Sequence, residues 1–157
     1  DFLHFDQCVN SLKIYFNTEP DEVDQNSIIA YYDSITEQDW IETYKERKFQ
    51  QIDAKTQELI SIGYTYSSKQ FSLSEDAQTN ILALFTTKDD PVLTYPITFN
   101  TIDNLDYYDA VDANDISNMY YTALATKKSH LDSGTLLKDQ IRAATSKASI
   151  DSITDNR

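Results

Sequence analysis

The hydrophobic positions of the chain predict helices that alternate with pairs of short strands. From residue 36 to residue 62, large apolar residues recur every three or four positions, a spacing typical of an amphipathic helix. The predicted stripe consists of Trp40, Ile41, Tyr44, Lys48, Ile52, Lys55, Leu59 and Ile62. Because the stripe is narrow and contains two lysines, we expect a partly buried helix. It is either an exposed connector or a helix that pairs with copies of itself.

A short connecting module is predicted directly after this helix. Gly63 should end the helix, because only a residue without a Cβ adopts the left-handed conformation after the last turn without a steric penalty. Alternation then predicts strands at residues 64–66 and 70–73, separated by residues 67–69. Ser74 is expected to cap the next helix, residues 75–86.

The second half of the chain predicts a hairpin followed by a second long helix. Strands are expected at residues 95–102 and 105–108, with a turn at Asp103-Asn104. Asp112 should cap the long helix, and Ser133-Gly134 should loosen it in the middle. Its inward stripe is predicted to contain Ile116, Met119, Tyr120, Ala123, Leu124, Leu131, Leu137 and Ile141.

Both ends of the chain carry smaller elements. Residues 11–16 alternate as a strand, and the apolar run 28–32 is predicted to be a second strand. We expect the two to form a hairpin that packs against another element or another chain. Ser146 is expected to start a last short helix. The sequence therefore predicts an α+β fold of two long helices, one or two short helices and antiparallel hairpins. An N-terminal strand pair and loop, residues 1–36, precede an α+β domain, residues 37–157.

Composition restricts the classes of function. The 26 acidic and 13 basic residues give a net charge of −13, which argues against binding to a phosphate backbone, so no nucleic-acid partner is expected. Two glycines are too few for a Gly-rich nucleotide-binding loop. Apolar runs are too short to cross a bilayer, and no membrane contact is expected. Since the chain begins with Asp, we expect that an initiator methionine or a longer leader is missing.

No pattern of reactive residues predicts catalysis or a cofactor. Cys8, His4 and His130 are too few for a zinc site built from Cys and His alone. Aspartates recur at 103, 106, 109, 112 and 115, yet the glycine of a calcium loop is missing. The residue types of a hydrolase triad occur at His130, Asp132 and Ser133, but on a helix these side chains would point in different directions. We therefore expect no enzyme activity, no cofactor and no metal.

The eleven tyrosines are the most suggestive surface feature. In the pairs Tyr31-Tyr32 and Tyr107-Tyr108, one ring should face the core and the other should face outward. An outward tyrosine offers rigid contact area and a hydroxyl group at a small entropic cost. We predict that Tyr31, Tyr32, Trp40, Tyr107 and Tyr108 supply a partner interface.

From about Gln38 to its end, the chain resembles an uncharacterised domain found in bacteriophage tail-fibre and related virion proteins. The resemblance is carried by short phrases of sequence: Tyr64-Thr-Tyr66, residues 71–78, Pro96-Ile-Thr98, Asp103-Asn104, Ala123 with Ala125, residues 137–145 and residues 150–153. The first 36 residues resemble the start of tail-fibre assembly proteins, which often have a Tyr-rich strand pair before such a helix. Where the family commonly has Asp-Gly or Asn-Gly, this chain has Ser67-Ser68, so we expect a looser loop than a type I′ turn.

This resemblance implies a structural or assembly role in a virion and brings no established active site. The chain is therefore expected to be a non-enzymatic connector of the tail or fibre region, made in the host cytoplasm. Its expected partners are other phage virion proteins and further copies of itself. The alternatives are a tail-fibre assembly factor absent from the mature particle, or a carboxylate-dependent glycosidase.

Overall fold

The contacts of the molecule divide it into two units. The computed structural model describes residues 2–8, 11–16, 25–27, 30 and 36–157, with side chains described from residue 25 onward except at residue 37. The first unit is Asp1–Glu42 and the second is Thr43–Arg157. The sequence placed the division after residue 36.

The first unit contains an antiparallel strand pair. Strand β1 (Phe2–Cys8) pairs with strand β2 (Ser11–Phe16), with Phe5 opposite Ile14. The predicted strand at 11–16 is confirmed, but its observed partner is β1. Of the predicted partner, residues 28–32, the structure describes only Ala30, which is helical. A short apolar run is compatible with a helix as well as with a strand. Only two residues separate the end of strand β1 from the start of β2, so closing the loop between them costs less entropy than closing a longer loop. Tyr31 and Tyr32 lie outside the described residues.

Helix α1 (Glu37–Ile62) begins with a reciprocal capping arrangement. The Asp39 amide donates to Thr36 Oγ1 over 3.2 Å, and the Thr36 amide donates to Asp39 Oδ2 over 2.8 Å. These bonds satisfy amide groups that a helix start leaves without partners. The predicted helix is confirmed. Ile62, however, is exposed at its end, whereas Lys45, Thr56 and Ile60 are buried.

Gly63 ends α1 as predicted, with φ of +90°. Strand β3 (Tyr64–Tyr66) then pairs with strand β4 (Lys69–Phe71), with Tyr66 opposite Lys69. Only Ser67 and Ser68 join the strands, and both have positive φ, 48° and 62°. The looser loop expected here is therefore wrong. The right-handed twist of paired strands favours positive φ at both turn positions, even without Asn or Gly.

Helix α2 (Glu75–Thr87) and the next hairpin follow in the predicted order. The Ala77 amide donates to Ser74 Oγ over 3.3 Å, which confirms the predicted cap. Strand β5 (Ile97–Asn100) pairs with strand β6 (Tyr107–Ala110). Strand β5 is shorter than the predicted 95–102, and β6 has the predicted length but lies two residues later than 105–108, because Thr101 and Asp106 already belong to the connecting loop.

Helix α3 (Ala113–Ala143) is the longest element, and Asp112 caps it by accepting from the Asn114 and Asp115 amides. It continues without a break through Gly134, so the predicted loosening is wrong. Gly134 is buried, and a Cβ there would lie 2.7 Å from Thr56 Oγ1 on α1. The glycine therefore permits a close approach of two helices. Ser146 caps the short helix α4 (Lys147–Asp151), as predicted.

The main core lies where α2 and the first half of α3 meet the end of α1 and two hairpins. It contains Ile60, Tyr64, Phe71, Leu73, Ile81, Ala110, Ile116, Met119 and Ala123. Along its second half α3 runs antiparallel to α1, with Lys138 paired to Asp53 and Lys45 Nζ donating to the Arg142 carbonyl. Among the described residues the sheets are three antiparallel strand pairs, and the predicted α+β class is confirmed.

Candidate protein–protein interface

The predicted interface residues occupy different places in the molecule. Tyr31 and Tyr32 fall outside the described residues, so their predicted role stays a prediction. Trp40 lies in the first unit, half-buried near the start of α1. Tyr107 and Tyr108 lie on β6 in the second unit. Among the predicted residues that the structure describes, only these two share an element.

Tyr107 and Tyr108 point to opposite sides of their hairpin, as expected for adjacent strand residues. The Tyr108 ring meets the Tyr66 ring edge-on, with centroids 5.3 Å apart, and it packs against the core. Burial raises the pKa of Tyr108, and a hydrogen bond with Asp115 adds to the effect. The Tyr107 side chain is 56% exposed. Tyr107 is therefore the tyrosine of this pair that is open to a partner.

The loop before Tyr107 carries further exposed apolar side chains. Leu105 is 86% exposed, and Ile102 is also exposed. Lys69 fixes this loop, because its Nζ donates to Asp106 Oδ2 and to the Tyr107 carbonyl, each over 2.6 Å. We call Ile102, Leu105 and Tyr107 the hairpin tip.

A second exposed apolar surface lies on α2 and α3. The Phe85 ring stacks on Tyr120 with centroids 4.2 Å apart, and Tyr121 meets the same ring edge-on at 5.3 Å. Leu82, Tyr121 and Leu124 are 46%, 56% and 49% exposed. We call Leu82, Phe85, Tyr120, Tyr121 and Leu124 the α2–α3 face.

The antiparallel packing of α2 and α3 places these residues on one side. Lys127 on α3 bonds to Gln78 near the start of α2, and Phe85 near its end stacks on Tyr120. In an antiparallel helix pair, the residue after each inward residue turns to the same side of the pair. Leu82 follows the buried Ile81, and Leu124 follows the buried Ala123. The two leucines therefore extend one continuous face around the aromatic cluster.

The observed burial along α3 differs from the inward stripe predicted for this helix. Leu124 and Leu131 were expected in the core, but both are exposed. The core side of α3 is formed instead by Ile116, Met119, Ala123, Gly134 and Ile141. Sequence reasoning missed Leu82 altogether. The available signal was the unbroken apolar run of residues 81–85, which is wider than one face of a helix.

Each of the regularly spaced aspartates has its own hydrogen-bond or ion-pair partner within the chain. Asp103 accepts from the Leu105 amide, and Asp106 pairs with Lys69. Hydrogen bonds lower the pKa of both carboxyl groups, from the Thr101 hydroxyl to Asp103 and from Lys69 to Asp106. Asp109 accepts from Thr98, Asp112 caps α3, and Asp115 accepts from the Val111 amide.

Within the described part of the chain, no group of three or more His, Cys, Asp or Glu side chains could hold a metal ion. The His130, Asp132 and Ser133 side chains do not form a triad. Ser133 Oγ donates to the His130 backbone carbonyl, and Asp132 pairs with Lys128. None of the described helices contains a stretch that is both long and apolar enough to cross a bilayer.

Comparison with known families identifies the second unit. A family model described as a domain of unknown function, DUF4376, matches residues 43–154, and the chain belongs to this family. No curated protein matches the chain, and no solved structure matches it either. The matched residues include both the hairpin tip and the α2–α3 face.

Proposed function

We propose that this member of the DUF4376 family is a non-enzymatic connector of the tail or fibre region of a phage virion. The α2–α3 face is the observation that carries the contact function. A group of exposed apolar side chains around a ring cluster is typical of a protein–protein interaction site. Leu82, Tyr121 and Leu124 each expose about half of their surface to solvent. Burial of these side chains by a partner would be favourable, because apolar surface leaves water.

The hairpin tip supports a connector rather than a protein with one contact. It is built by different elements from those of the α2–α3 face, and its Leu105 is even more exposed. Lys69 holds the loop in place, so little ordering would be needed on binding. Two separate apolar surfaces allow one copy to contact two neighbours.

The proposed location and partners rest on the resemblance of short sequence segments to those of virion proteins. The partners are other virion proteins and further copies of this chain. Nucleic acid is not among them, because a net charge of −13 repels a phosphate backbone. The protein is proposed to be located in the assembled particle, after its synthesis in the host cytoplasm.

The contact function is tested by placing a charge on the α2–α3 face. Leu124→Glu should weaken binding to purified virion components, or self-association measured by light scattering, by about tenfold or more, because a buried carboxylate is costly. Leu136→Glu is the matched control. Leu136 is also exposed on α3 but lies about 120° around the helix from Leu124. Equal binding by both variants and the parent would contradict the proposed face.

The virion role is tested separately by the protein content of purified particles. A connector is present in a fixed ratio to the other tail proteins. If the chain is absent from particles yet fibres fail to form without it, the assembly-factor alternative is correct. Absence from particles together with normal fibre formation would overturn both roles.

A further inference from the structure

The guanidinium group of Arg157 lies between α1 and α3. Its Nη1 donates to Thr56 Oγ1 over 3.0 Å and to Ser133 Oγ over 3.2 Å. Nη1 also approaches the His130 carbonyl at 3.3 Å, and Nη2 approaches the Ile52 carbonyl at 3.3 Å. The group therefore has two acceptors on each helix.

The two helices present their acceptors in the same way. Thr56 Oγ1 donates its own proton to the Ile52 carbonyl over 2.8 Å. Ser133 Oγ likewise donates to the His130 carbonyl over 2.9 Å. Each hydroxyl oxygen is thereby oriented as an acceptor, because its single hydrogen is already used.

Gly134 provides the space for this group. A Cβ at this position would lie 3.0 Å from Arg157 Nη1 and 2.7 Å from Thr56 Oγ1. Gly134 is buried, and Thr56 is buried beside it. We call Ile52, Thr56, His130, Ser133 and Gly134 the guanidinium socket.

The counter-charge comes from the same segment as the arginine. Asp155 accepts from Arg157 Nε over 2.8 Å and from Nη2 over 2.7 Å, a two-point contact that matches the planar fork of arginine. The hydrogen bond with Arg157 lowers the pKa of the Asp155 carboxyl. All three nitrogens of the guanidinium group have partners. A lysine ammonium has three donors at one point and cannot reach all of these acceptors.

Residues 152–157, here called the strap, also form one wall of a cleft. The cleft has a volume of about 510 Å³, and its other wall includes Lys48, Ile52 and Lys55 of α1. Ile52 borders both the cleft and the socket.

We propose that the guanidinium socket is a binding site for the guanidinium group of an arginine side chain. In this structure the strap's own Arg157 is the ligand. The proposal is independent of the virion role, since it depends only on the acceptors and the space that α1 and α3 provide.

The test replaces the resident ligand with a free one in the full chain. Arg157→Ala should lower the thermal midpoint and empty the socket. Ethylguanidinium supplies the missing atoms, so it should shift the Ser133 and Gly134 amide resonances of this variant saturably, roughly in the millimolar range. It should also recover part of the lost thermal midpoint. Ethylammonium should do neither, and the parent should not respond because its socket is occupied.

The matched control adds Ser133→Ala to Arg157→Ala. Loss of one hydrogen bond to a charged group should weaken ethylguanidinium binding about tenfold. If Arg157→Ala does not fold on its own, refolding in ethylguanidinium should recover the native circular dichroism spectrum, and refolding in ethylammonium should not. Equal responses to ethylguanidinium and ethylammonium, or no saturable response to either, would overturn the proposal.

Discussion

At Gly63 the backbone adopts a conformation that other residues avoid. Its φ is +90°, and an added Cβ would lie 2.0 Å from the Phe71 carbonyl oxygen on β4. Because this oxygen belongs to the backbone of a strand, it cannot move aside without breaking the hairpin. Glycine at this position therefore joins the end of α1 to the next strand.

Gly63→Ala should lower the free energy of unfolding by about 3 kcal/mol or more, since backbone strain and steric overlap add. Urea unfolding followed by circular dichroism measures this change. Ser61→Ala, two positions earlier on an exposed site of α1, is the control and should change the stability by less than about 1 kcal/mol. A small effect of Gly63→Ala would mean that the hairpin is not held against the helix end.

Signals confined to a few residues were predictable from the sequence. Ser74, Asp112 and Ser146 all cap helices as expected, because a cap needs only its own hydroxyl or carboxylate and the next two or three amides. Gly63 was predictable for the same local reason. Arg157 was not, because its acceptors lie on two helices far away in the sequence.

At the scale of elements, the β3–β4 hairpin accepts two serines in a conformation that glycine or asparagine adopts more easily. Ser67 and Ser68 have φ of 48° and 62°. The turn therefore contains strain that the packing of Tyr64 and Phe71 holds in place, with rings 5.6 Å apart. The residue types of the turn alone predicted a looser loop than the observed two-residue turn, because the pairing of the strands determines the geometry of the turn.

The double change Ser67→Asn and Ser68→Gly should raise the free energy of unfolding by about 1 kcal/mol, since both new residues tolerate positive φ. Thermal and urea unfolding measure the gain. Ser129→Gly, at an exposed position inside α3, is the matched control. It should lower the stability by roughly 0.5 kcal/mol, because glycine is unfavourable in a helix. A loss of stability in the turn variant would show that the serine side chains themselves stabilise the turn.

The faces of the helices were harder to predict than their existence. The spacing of apolar residues located α3 correctly, but it placed Leu124 and Leu131 inside. The buried side of α3 depends on which elements cover it: α2 on its first half and α1 on its second. Gly134 belongs to that side, although glycine carries no hydrophobic signal. The α2–α3 face therefore became visible only with the packing of three helices.

At the scale of the whole molecule, stability should depend on pH through buried tyrosines. Tyr64 is 5% exposed, and burial raises its pKa from 10.0 to about 12. The neutral phenol fits the core, whereas the phenolate is favoured in the unfolded chain. The stabilising contribution is therefore complete below pH 10 and is lost as the pH rises from about 10 to about 12.

Ionisation of Tyr64 as the pH rises from about 10 to about 12 should lower the free energy of unfolding by about 2 kcal/mol. Urea unfolding from pH 7 to pH 11.5 on the parent and Tyr64→Phe measures the difference. The two proteins should have similar stability near pH 7, and the variant should lose less at alkaline pH, because phenylalanine does not ionise. Parallel pH profiles would show that ionisation of Tyr64 does not limit alkaline stability.

Both glycines of the chain are committed to tight contacts, Gly63 against Phe71 and Gly134 against Thr56. The other 155 of the 157 residues carry a Cβ. A chain of this length with ordinary composition would have roughly eleven glycines, about nine more. Each one avoided reduces the disorder available after unfolding, worth about 0.4 kcal/mol or more. Scarcity of glycine thus makes the denatured ensemble stiffer, and some of the molecule's resistance to unfolding originates outside its native contacts.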